Sequence, residues 1–497
     1  MSALWILAVL VSFTTSSHVP DSPGVTSLKE FIAALNSRDV STMGQYIQAH
    51  FKPGNSPTPT ITARAQRLLE LTSLGTPFTF GDVLTDSPTM AIITVKNATG
   101  SDFEIKMNFE QTEPHWALTV YMGGPGSQSA PPPKHYTQWS AISELLDQIR
   151  IDTKVPALCA AVYHNGVEES AIVGTRRLDS PEKASISDRW LLGSITKSMT
   201  AMMIARLVDK GILTWETTLK EAFAGMPMRP EYRNVTLIQL LHHRSGLVQD
   251  LYVNPEFLAQ AAGPGVDHVQ MREHYTQFTL DRERAAKPDE QMLYSNAGYS
   301  VASHIAEVAA KKPYEQLMRE LVFIPLGMRS ARFGVPGSSG NPGGKGQLMG
   351  YSVVKNGLEP YVLAEPKWVG IQAAAGAGLS MTVGDLMRFV RYNLEGLRGH
   401  VTLMKPENFK VLHQPAITSP GGQKYACGWV IVDGLTREPY HGHNGSDGTF
   451  RSEMAIWPEK NLAIVAIANA GVRFEPAPPL QAVTAIYERI DTRSDKR

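Results

Sequence analysis

Two side chains near the middle of the chain have the chemistry of a nucleophile and its base. Ser194 and Lys197 stand three residues apart in Gly193-Ser-Ile-Thr-Lys-Ser-Met-Thr200, and on a helix such residues share one face. Lys197 is the only charge between Ser194 and Ala205, which predicts a buried helix. Burial lowers the pKa of an ammonium, and the resulting amine could accept the serine proton. The plainer alternative is a helix-capping serine beside a lysine that extends to solvent.

Two polar motifs further along the chain could complete such a site. Tyr294-Ser-Asn296 follows Pro288 in a loop-like stretch, and in extended backbone side chains two residues apart point the same way. We therefore expect Tyr294 and Asn296 to face one cleft. His443-Asn-Gly445 stands at a predicted strand end, where Gly445 lets a ligand approach the backbone closely.

The elements around these motifs predict one antiparallel sheet with a helical region inserted into it. Asn165-Gly166 between two apolar runs is a strong hairpin signal. Strand patterns cover residues 156–163, 168–174, 425–432, 450–457 and 462–468, and a further strand enters 441–445. Helices are expected near 138–151 and 480–490 and through most of the region from Ser194 to Asn393. Strands at both ends with helices between them indicate an α+β fold.

Residues 26–122 predict a separate small α+β domain. Helices are expected at 27–36, with Ser27 as its cap, at 41–51 and at 61–74, followed by strands at 78–80, 90–95, 103–109 and 116–121. The pattern resembles the nuclear-transport-factor-like domains. Residues 123–137 form a Gly/Pro/Ser-rich linker, whose composition cannot bury enough apolar surface to fold. We interpret the small domain as accessory, for packing, substrate gating or dimerisation.

Length and composition limit the class of protein. The chain has 497 residues, enough for two or three domains, and 43% of them are hydrophobic. Lys+Arg and Asp+Glu both number 47, so net charge offers no case for a nucleic-acid partner. The two cysteines, Cys159 and Cys427, show neither metal-ligand spacing nor a disulfide framework. Two separate buried thiols are favoured over one bridge.

The first 17 residues resemble a secretory signal peptide. An apolar run to Phe13 is followed by small residues, although no basic residue precedes the run. It is too short to span a bilayer as a helix. Cleavage after Ser17 would leave small residues at the expected positions. The pattern predicts a secreted or periplasmic protein.

Ser-x-x-Lys, Tyr-x-Asn and His-x-Gly in this order resemble the serine β-lactamase and penicillin-binding-protein superfamily. The likeness is to its class C-like branch, which includes family VIII esterases, D-aminopeptidases and D-alanyl-D-alanine carboxypeptidases. Further family-like segments are Leu240-Leu-His-His-Arg-Ser-Gly-Leu247, Tyr294-Ser-Asn-Ala-Gly-Tyr299, Pro325-Leu-Gly-Met328 and Ala375-Gly-Ala-Gly-Leu-Ser380. The resemblance implies a β-lactamase/transpeptidase-like catalytic domain over residues 138–491. The N-terminal domain lies outside it.

The resemblance also implies roles for individual residues. Ser194 attacks a carbonyl carbon, and Lys197 and Tyr294 share the proton transfers. The backbone N–H groups of Ser194 and Ser446 form the oxyanion hole. Asn296 either contacts the acyl substituent or orients Lys197. An acyl-enzyme forms and water releases the acid, with no cofactor and no metal.

His443 departs from the pattern of typical β-lactamases, which have lysine there to fix a substrate carboxylate. Histidine is mostly neutral at pH 7 and binds a carboxylate more weakly. This favours a small-molecule ester, amide or peptide as substrate, bound by Asn296, His443 and Gly445. A β-lactamase, an acyltransferase and a non-catalytic scaffold of the same fold remain alternatives, and the oligomeric state is open. His443 as a purely structural hydrogen-bonding group is an equal alternative, and His242-His243 is interpreted as helix-end structure rather than a metal site.

Overall fold

The computed structural model describes two compact units, one made of Met1–Ser56 with Ala65–Gly123 and the other of Pro57–Arg64 with Gly124–Arg497. The described residues are 22–51, 65, 68–69, 76–87, 90–98, 102–109, 117–123, 135–247, 265–334, 336, 348–354, 357–360, 368–418, 424–433, 436, 438–471 and 477–494. The predicted signal peptide, most of the predicted helix at 61–74 and most of the linker lie outside them. Within these ranges, no helix has both the length and the apolar character needed to cross a bilayer.

The N-terminal unit has two helices followed by a four-stranded antiparallel sheet. Its elements are α1 (Pro23–Ser37), α2 (Val40–His50), β1 (Thr79–Ser87), β2 (Met90–Lys96), β3 (Asp102–Phe109) and β4 (Ala117–Gly123). The prediction that Ser27 caps the first helix is wrong. Ser22 caps it, and its Oγ accepts the N–H of Val25 at 3.1 Å. The nuclear-transport-factor-like assignment of this unit stays a prediction.

Ser27 is instead part of a buried polar cluster in the N-terminal unit. Its Oγ lies 3.0 Å from the Tyr46 hydroxyl and 3.1 Å from His50 Nδ1, and His50 Nε2 lies 2.6 Å from Glu30. A serine, a histidine and a carboxylate are the groups of a catalytic triad. Ser27, however, is only 4% exposed and contacts the sulfur of Met107 at 3.6 Å, so the cluster serves packing.

The second unit is built on an eight-stranded antiparallel sheet. In spatial order its strands are β12 (Ile417–Thr418), β13 (Lys424–Tyr425), β14 (Val430–Val432), β15 (Tyr440–Ser446), β16 (Arg451–Trp457), β17 (Leu462–Ala468), β5 (Ala157–His164) and β6 (Val167–Gly174). The last long strand, β17, pairs with the first, β5, so that Ala466 faces Ala160. The predicted joining of the two strand sets is therefore confirmed.

Helices cover both faces of this sheet. In chain order they are α3 (Ile142–Thr153), α4 (Thr196–Asp209), α5 (Leu219–Ala222), α6 (Leu237–Leu241), α7 (His268–Leu280), α8 (Asn296–Ala310), α9 (Tyr314–Met318), α10 (Trp368–Gln372), α11 (Val383–Leu397), α12 (Pro406–His413) and α13 (Pro478–Ser494). Alternate residues of β5 enter separate cores, as side chains of a strand must. Cys159 packs with α4 and α11, whereas Leu158 packs with α3 and α13.

The predicted single strand at 425–432 is two strands, β13 and β14. Between them Gly428 adopts a φ of 75°, and a Cβ at this position would stand 2.4 Å from the backbone nitrogen of Ser198. The backbone breaks here because it packs directly against α4. The helical region also holds short strands that were not predicted: β7 (Trp190–Leu191), β8 (Arg332–Phe333), β9 (Tyr351–Val354), β10 (Gly357–Pro360) and β11 (Leu379–Met381).

A buried ion cluster ties the helical region together. The guanidinium of Arg272 on α7 lies 2.7 Å from Glu307 on α8 and 2.9 Å from Glu315 on α9. It also donates to the carbonyl oxygen of Gly370 on α10 at 2.7 Å. A fully buried charge needs partners of this kind. The cluster therefore fixes the segment that leads into Ala375.

Both cysteines are buried and unbridged, as expected. Burial raises the pKa of the Cys159 and Cys427 thiols, so neither is poised to react as a thiolate.

Candidate active site

Ser194 lies in a tight turn just before α4. The 3-10 turn spans Gly193–Ile195, one turn ahead of the helix on which we expected the serine. Gly193 has a φ of 55°, and a Cβ there would stand 2.3 Å from the backbone nitrogen of Ser446. The spacing prediction still holds, because Lys197 Nζ reaches Ser194 Oγ at 3.0 Å. The turn leaves Ser194 half-buried.

Lys197 is wholly buried, which contradicts the alternative of a lysine that extends to solvent. Its Nζ donates to Asn296 Oδ1 at 2.6 Å and to the carbonyl oxygen of Ala375 at 2.5 Å. These two oxygens only accept hydrogen bonds, so each takes an N–H group of the lysine. The same nitrogen lies 3.0 Å from Ser194 Oγ. An ammonium would donate to the serine there, and a neutral amine would accept from it.

Tyr294 and Asn296 both contact Lys197, as the prediction of a shared cleft requires. Lys197 Nζ lies 4.8 Å from the centre of the Tyr294 ring. Ser295 between them is extended and caps α8, since its Oγ accepts the N–H of Gly298 at 3.0 Å. Of the two roles expected for Asn296, its contact with Lys197 Nζ corresponds to orientation of the lysine.

Gly445 and Ser446 run directly beside the Ser194 turn. A Cβ on Gly445 would stand 1.9 Å from the carbonyl oxygen of Leu192 and 2.9 Å from the backbone nitrogen of Ser194. The backbone nitrogen of Ser194 thus lies beside Gly445, and that of Ser446 lies beside Gly193. Ser452 on β16 stabilises this junction, because its Oγ donates to the carbonyl oxygen of Leu192 at 2.7 Å.

His443 is neutral and its ring is already occupied. Its Nδ1 lies 2.6 Å from the carbonyl oxygen of Asn444, which only accepts, so Nδ1 carries the proton. Its Nε2 therefore accepts from the Tyr425 hydroxyl at 3.2 Å. Burial, and next the charge of Lys197, lower the pKa of His443 to about 4. His443 therefore has the contacts expected of a purely structural hydrogen-bonding residue, which was the alternative to a role in substrate binding.

Several groups at the site escaped the sequence interpretation. Tyr425 was placed only as a strand residue, and the Ala375 carbonyl has no side-chain signature at all. His243 was interpreted as helix-end structure, although it stood in the family-like segment 240–247 that could have marked it. Among the residues that the structure describes, no cluster of His, Cys, Asp or Glu could hold a metal ion. Burial first, and then neighbouring charge, lower the pKa of both His242 and His243.

We predict that Gly445→Ala inactivates the site while Gly448→Ala does not. The added methyl at 445 would overlap the Leu192 carbonyl, so the Ser194 turn must move. A displacement of about 1 Å lowers the reaction rate roughly 100-fold. Gly448 has a φ of 87° but nothing within 4 Å of its Cβ position, so Gly448→Ala strains the nearby backbone without a steric overlap and serves as the control. The rate of labelling by a fluorophosphonate probe is the measurement, and equal rates for the two variants would contradict the prediction.

Known proteins resemble this chain in both sequence and fold. The family model described as "Beta-lactamase" matches residues 142–486. "Penicillin-binding protein 4" of Amycolatopsis lactamdurans is 23% identical over 365 residues, which are 68% of this chain and 87% of that protein. The class C beta-lactamase from Rhodobacter sphaeroides superposes with a TM-score of 0.56 and 17% identity, over 71% of this chain and 99% of that one.

A D-stereospecific amidohydrolase from a Streptomyces species superposes with a TM-score of 0.53 and 21% identity, over 67% of this chain and 95% of that one. At these identities the two structures establish the fold alone. They agree with the β-lactamase/transpeptidase-like fold that the sequence motifs implied. Because the family model spans more than half of its length, this chain belongs to the beta-lactamase family.

Proposed function

We propose that this protein is a serine hydrolase that forms an acyl-enzyme on an uncharged ester or amide. One observation carries the proposal. Lys197 Nζ lies 3.0 Å from Ser194 Oγ, 2.6 Å from Asn296 Oδ1 and 2.5 Å from the Ala375 carbonyl oxygen. A buried amine within hydrogen-bonding distance of a serine hydroxyl suits proton abstraction.

The proposed reaction has two acyl-transfer steps. Ser194 Oγ attacks the substrate carbonyl carbon, and its proton passes to Lys197 or on to Tyr294. The N–H groups of Ser194 and Ser446 stabilise the oxyanion. Collapse of the tetrahedral intermediate breaks the ester or amide bond, and the leaving group takes the proton from Tyr294. Water then attacks the acyl-enzyme by the same route in reverse, which regenerates Ser194 and releases the acid.

His443 supports an uncharged substrate over a β-lactam. It is neutral, and its two ring nitrogen atoms are engaged by Asn444 and Tyr425. Ester or amide hydrolysis, of the esterase or D-amino-acid peptidase type, needs no cation at this position.

A substrate panel tests the proposal together with the variant His443→Lys. Wild type is expected to hydrolyse p-nitrophenyl esters or D-alanyl peptide amides in preference to nitrocefin. His443→Lys should move the ratio of the nitrocefin and ester kcat/KM values toward nitrocefin by about tenfold, because a charge-assisted hydrogen bond to the β-lactam carboxylate contributes about 1.5–3 kcal/mol. Preferential nitrocefin hydrolysis by wild type would contradict the substrate class. Absence of both turnover and probe labelling in folded protein would favour the scaffold alternative.

Export is also part of the proposal, because residues 1–17 have the pattern of a signal peptide. Mass spectrometry of the N-terminus of protein recovered from the source organism tests it. A mature chain that begins at or near His18 supports export, and a chain that retains residues 1–17 contradicts it.

A further inference from the structure

We propose that His243 is the positioning residue for Tyr294 in the reaction described above. The inference rests on the proposed function, and it concerns the group that holds the tyrosine rather than the tyrosine itself. His243 lies in the segment after α6, and Tyr294 lies just before α8.

His243 binds both chain neighbours of Tyr294. Its carbonyl oxygen accepts the N–H of Leu293 at 2.7 Å, and its Nδ1 accepts the N–H of Ser295 at 3.0 Å. The imidazole ring also packs against the Tyr294 ring, with centroids 4.3 Å apart. One residue therefore holds the backbone on each side of the tyrosine and one face of its ring.

The protonation state of His243 allows it to hold the backbone beside Tyr294 but not to transfer protons. Because Nδ1 accepts a backbone N–H, the neutral ring carries its proton on Nε2. The ring is 1% exposed, and burial, followed by the charge of Lys197, lowers the pKa of His243 well below its usual value. The ring therefore has no free lone pair with which to accept a proton. Its role is positional.

The backbone at His243 is unusual in a way that supports the same role. Its φ of 57° lies in the left-handed region, which only glycine, asparagine and aspartate adopt readily. This conformation directs the carbonyl and the side chain of one residue toward the two neighbours of Tyr294. The stretch before α8 has no helix or strand of its own from residue 281 to 295, so external hydrogen bonds must define the position of the tyrosine.

Three variants separate this role from plain packing. His243→Asn retains an acceptor, because Asn Oδ1 is bonded to Cγ as His Nδ1 is, and asparagine tolerates a positive φ. His243→Ala removes the acceptor. His242→Ala is the matched control, because His242 is an adjacent histidine that is 4% exposed, with a φ of −89°. Each variant is compared by fluorophosphonate labelling of Ser194, by kcat and KM on a p-nitrophenyl ester, and by thermal unfolding.

His243→Ala is expected to lower kcat about 100-fold with KM within about threefold of wild type, because a misplaced tyrosine impairs the chemical step. His243→Asn should recover kcat to within about fivefold of wild type, and His242→Ala should leave kcat within the same range. If His243→Asn is folded and as slow as His243→Ala, the positional role is wrong. It is equally wrong if His243→Ala keeps wild-type kcat.

A failure of the proposed function gives a different result. Folded wild type that neither reacts with the probe nor turns over esters would reject the hydrolase proposal and the role of His243 together. If wild type reacts normally with the probe and His243→Ala keeps wild-type kcat, only the role of His243 is rejected. If His243→Ala does not fold, the comparison of His243→Asn with His242→Ala still decides the matter. Near wild-type kcat in His243→Asn then supports the role, and a loss of about 100-fold overturns it.

Discussion

Ser194→Ala is expected to remove covalent labelling by a fluorophosphonate probe and to lower kcat on esters by about 10⁴-fold or more. The hydroxyl oxygen is the attacking atom, and no other group can form the acyl bond at this position. Lys197 would remain buried, still donating to Asn296 and to the Ala375 carbonyl. The folded structure should therefore persist, and thermal unfolding close to that of wild type is part of the expected result.

Ser198→Ala is the matched control for this prediction. Ser198 lies four residues further along the chain, on the buried helix α4, and its Oγ donates to the Ile195 carbonyl at 2.7 Å. It should label and turn over at rates near those of wild type. Intact-protein mass spectrometry measures the adduct. Equal labelling of Ser194→Ala and wild type would show that the nucleophile lies elsewhere.

The second large effect concerns stability in mild acid. Six of the described histidines have pKa values lowered chiefly by burial, and they are His164, His242, His243, His413, His441 and His443. In the unfolded chain each binds a proton near pH 6.5. In the folded protein the pKa values of His242, His441 and His443 are lowered to about 4, and those of the other histidines are lowered in the same direction. The unfolded state therefore binds more protons in this window, so folding is fully favoured above it and weakens as pH falls.

Linkage sets the size of the effect. A histidine whose pKa falls to about 4 on folding contributes up to about 1.4 kcal/mol per pH unit between the two pKa values, so His242, His441 and His443 together contribute up to about 4 kcal/mol per unit below pH 6. The free energy of unfolding of the second unit is typically of the same order as this loss. Urea midpoints should fall sharply between pH 7.5 and pH 5.5, and unchanged midpoints would contradict the prediction.

Two glutamine variants test the origin of this slope. His441→Gln removes one buried histidine, whose Nδ1 lies 3.4 Å from His413 Nδ1. It should reduce the slope by about 1.4 kcal/mol per pH unit. His274 is exposed on α7, so its surroundings change little on unfolding. His274→Gln should leave the slope as it is, and an equal change in both variants would argue against burial as the cause.

Much of the fold could be predicted because its signals are local. Apolar runs marked β5, β16 and β17, and Asn165-Gly166 marked the hairpin between β5 and β6. Strands of two or three residues, such as β7 and β11, are too short to show a period. The break at Gly428 was missed because the run around it is apolar throughout, and only contact with α4 explains it.

The sequence by itself determined which groups could react. Ser194 and Lys197 stand one helical turn apart, so their contact follows from local geometry. The tertiary structure decided the state of these groups. The Ala375 carbonyl that holds Lys197 lies 178 residues further along the chain. Burial, and next the charge of Lys197, lower the pKa of His443 and keep it neutral, and both belong to the packed protein. Desolvation and long-range hydrogen bonds arise only on folding, so spacing alone could not predict them.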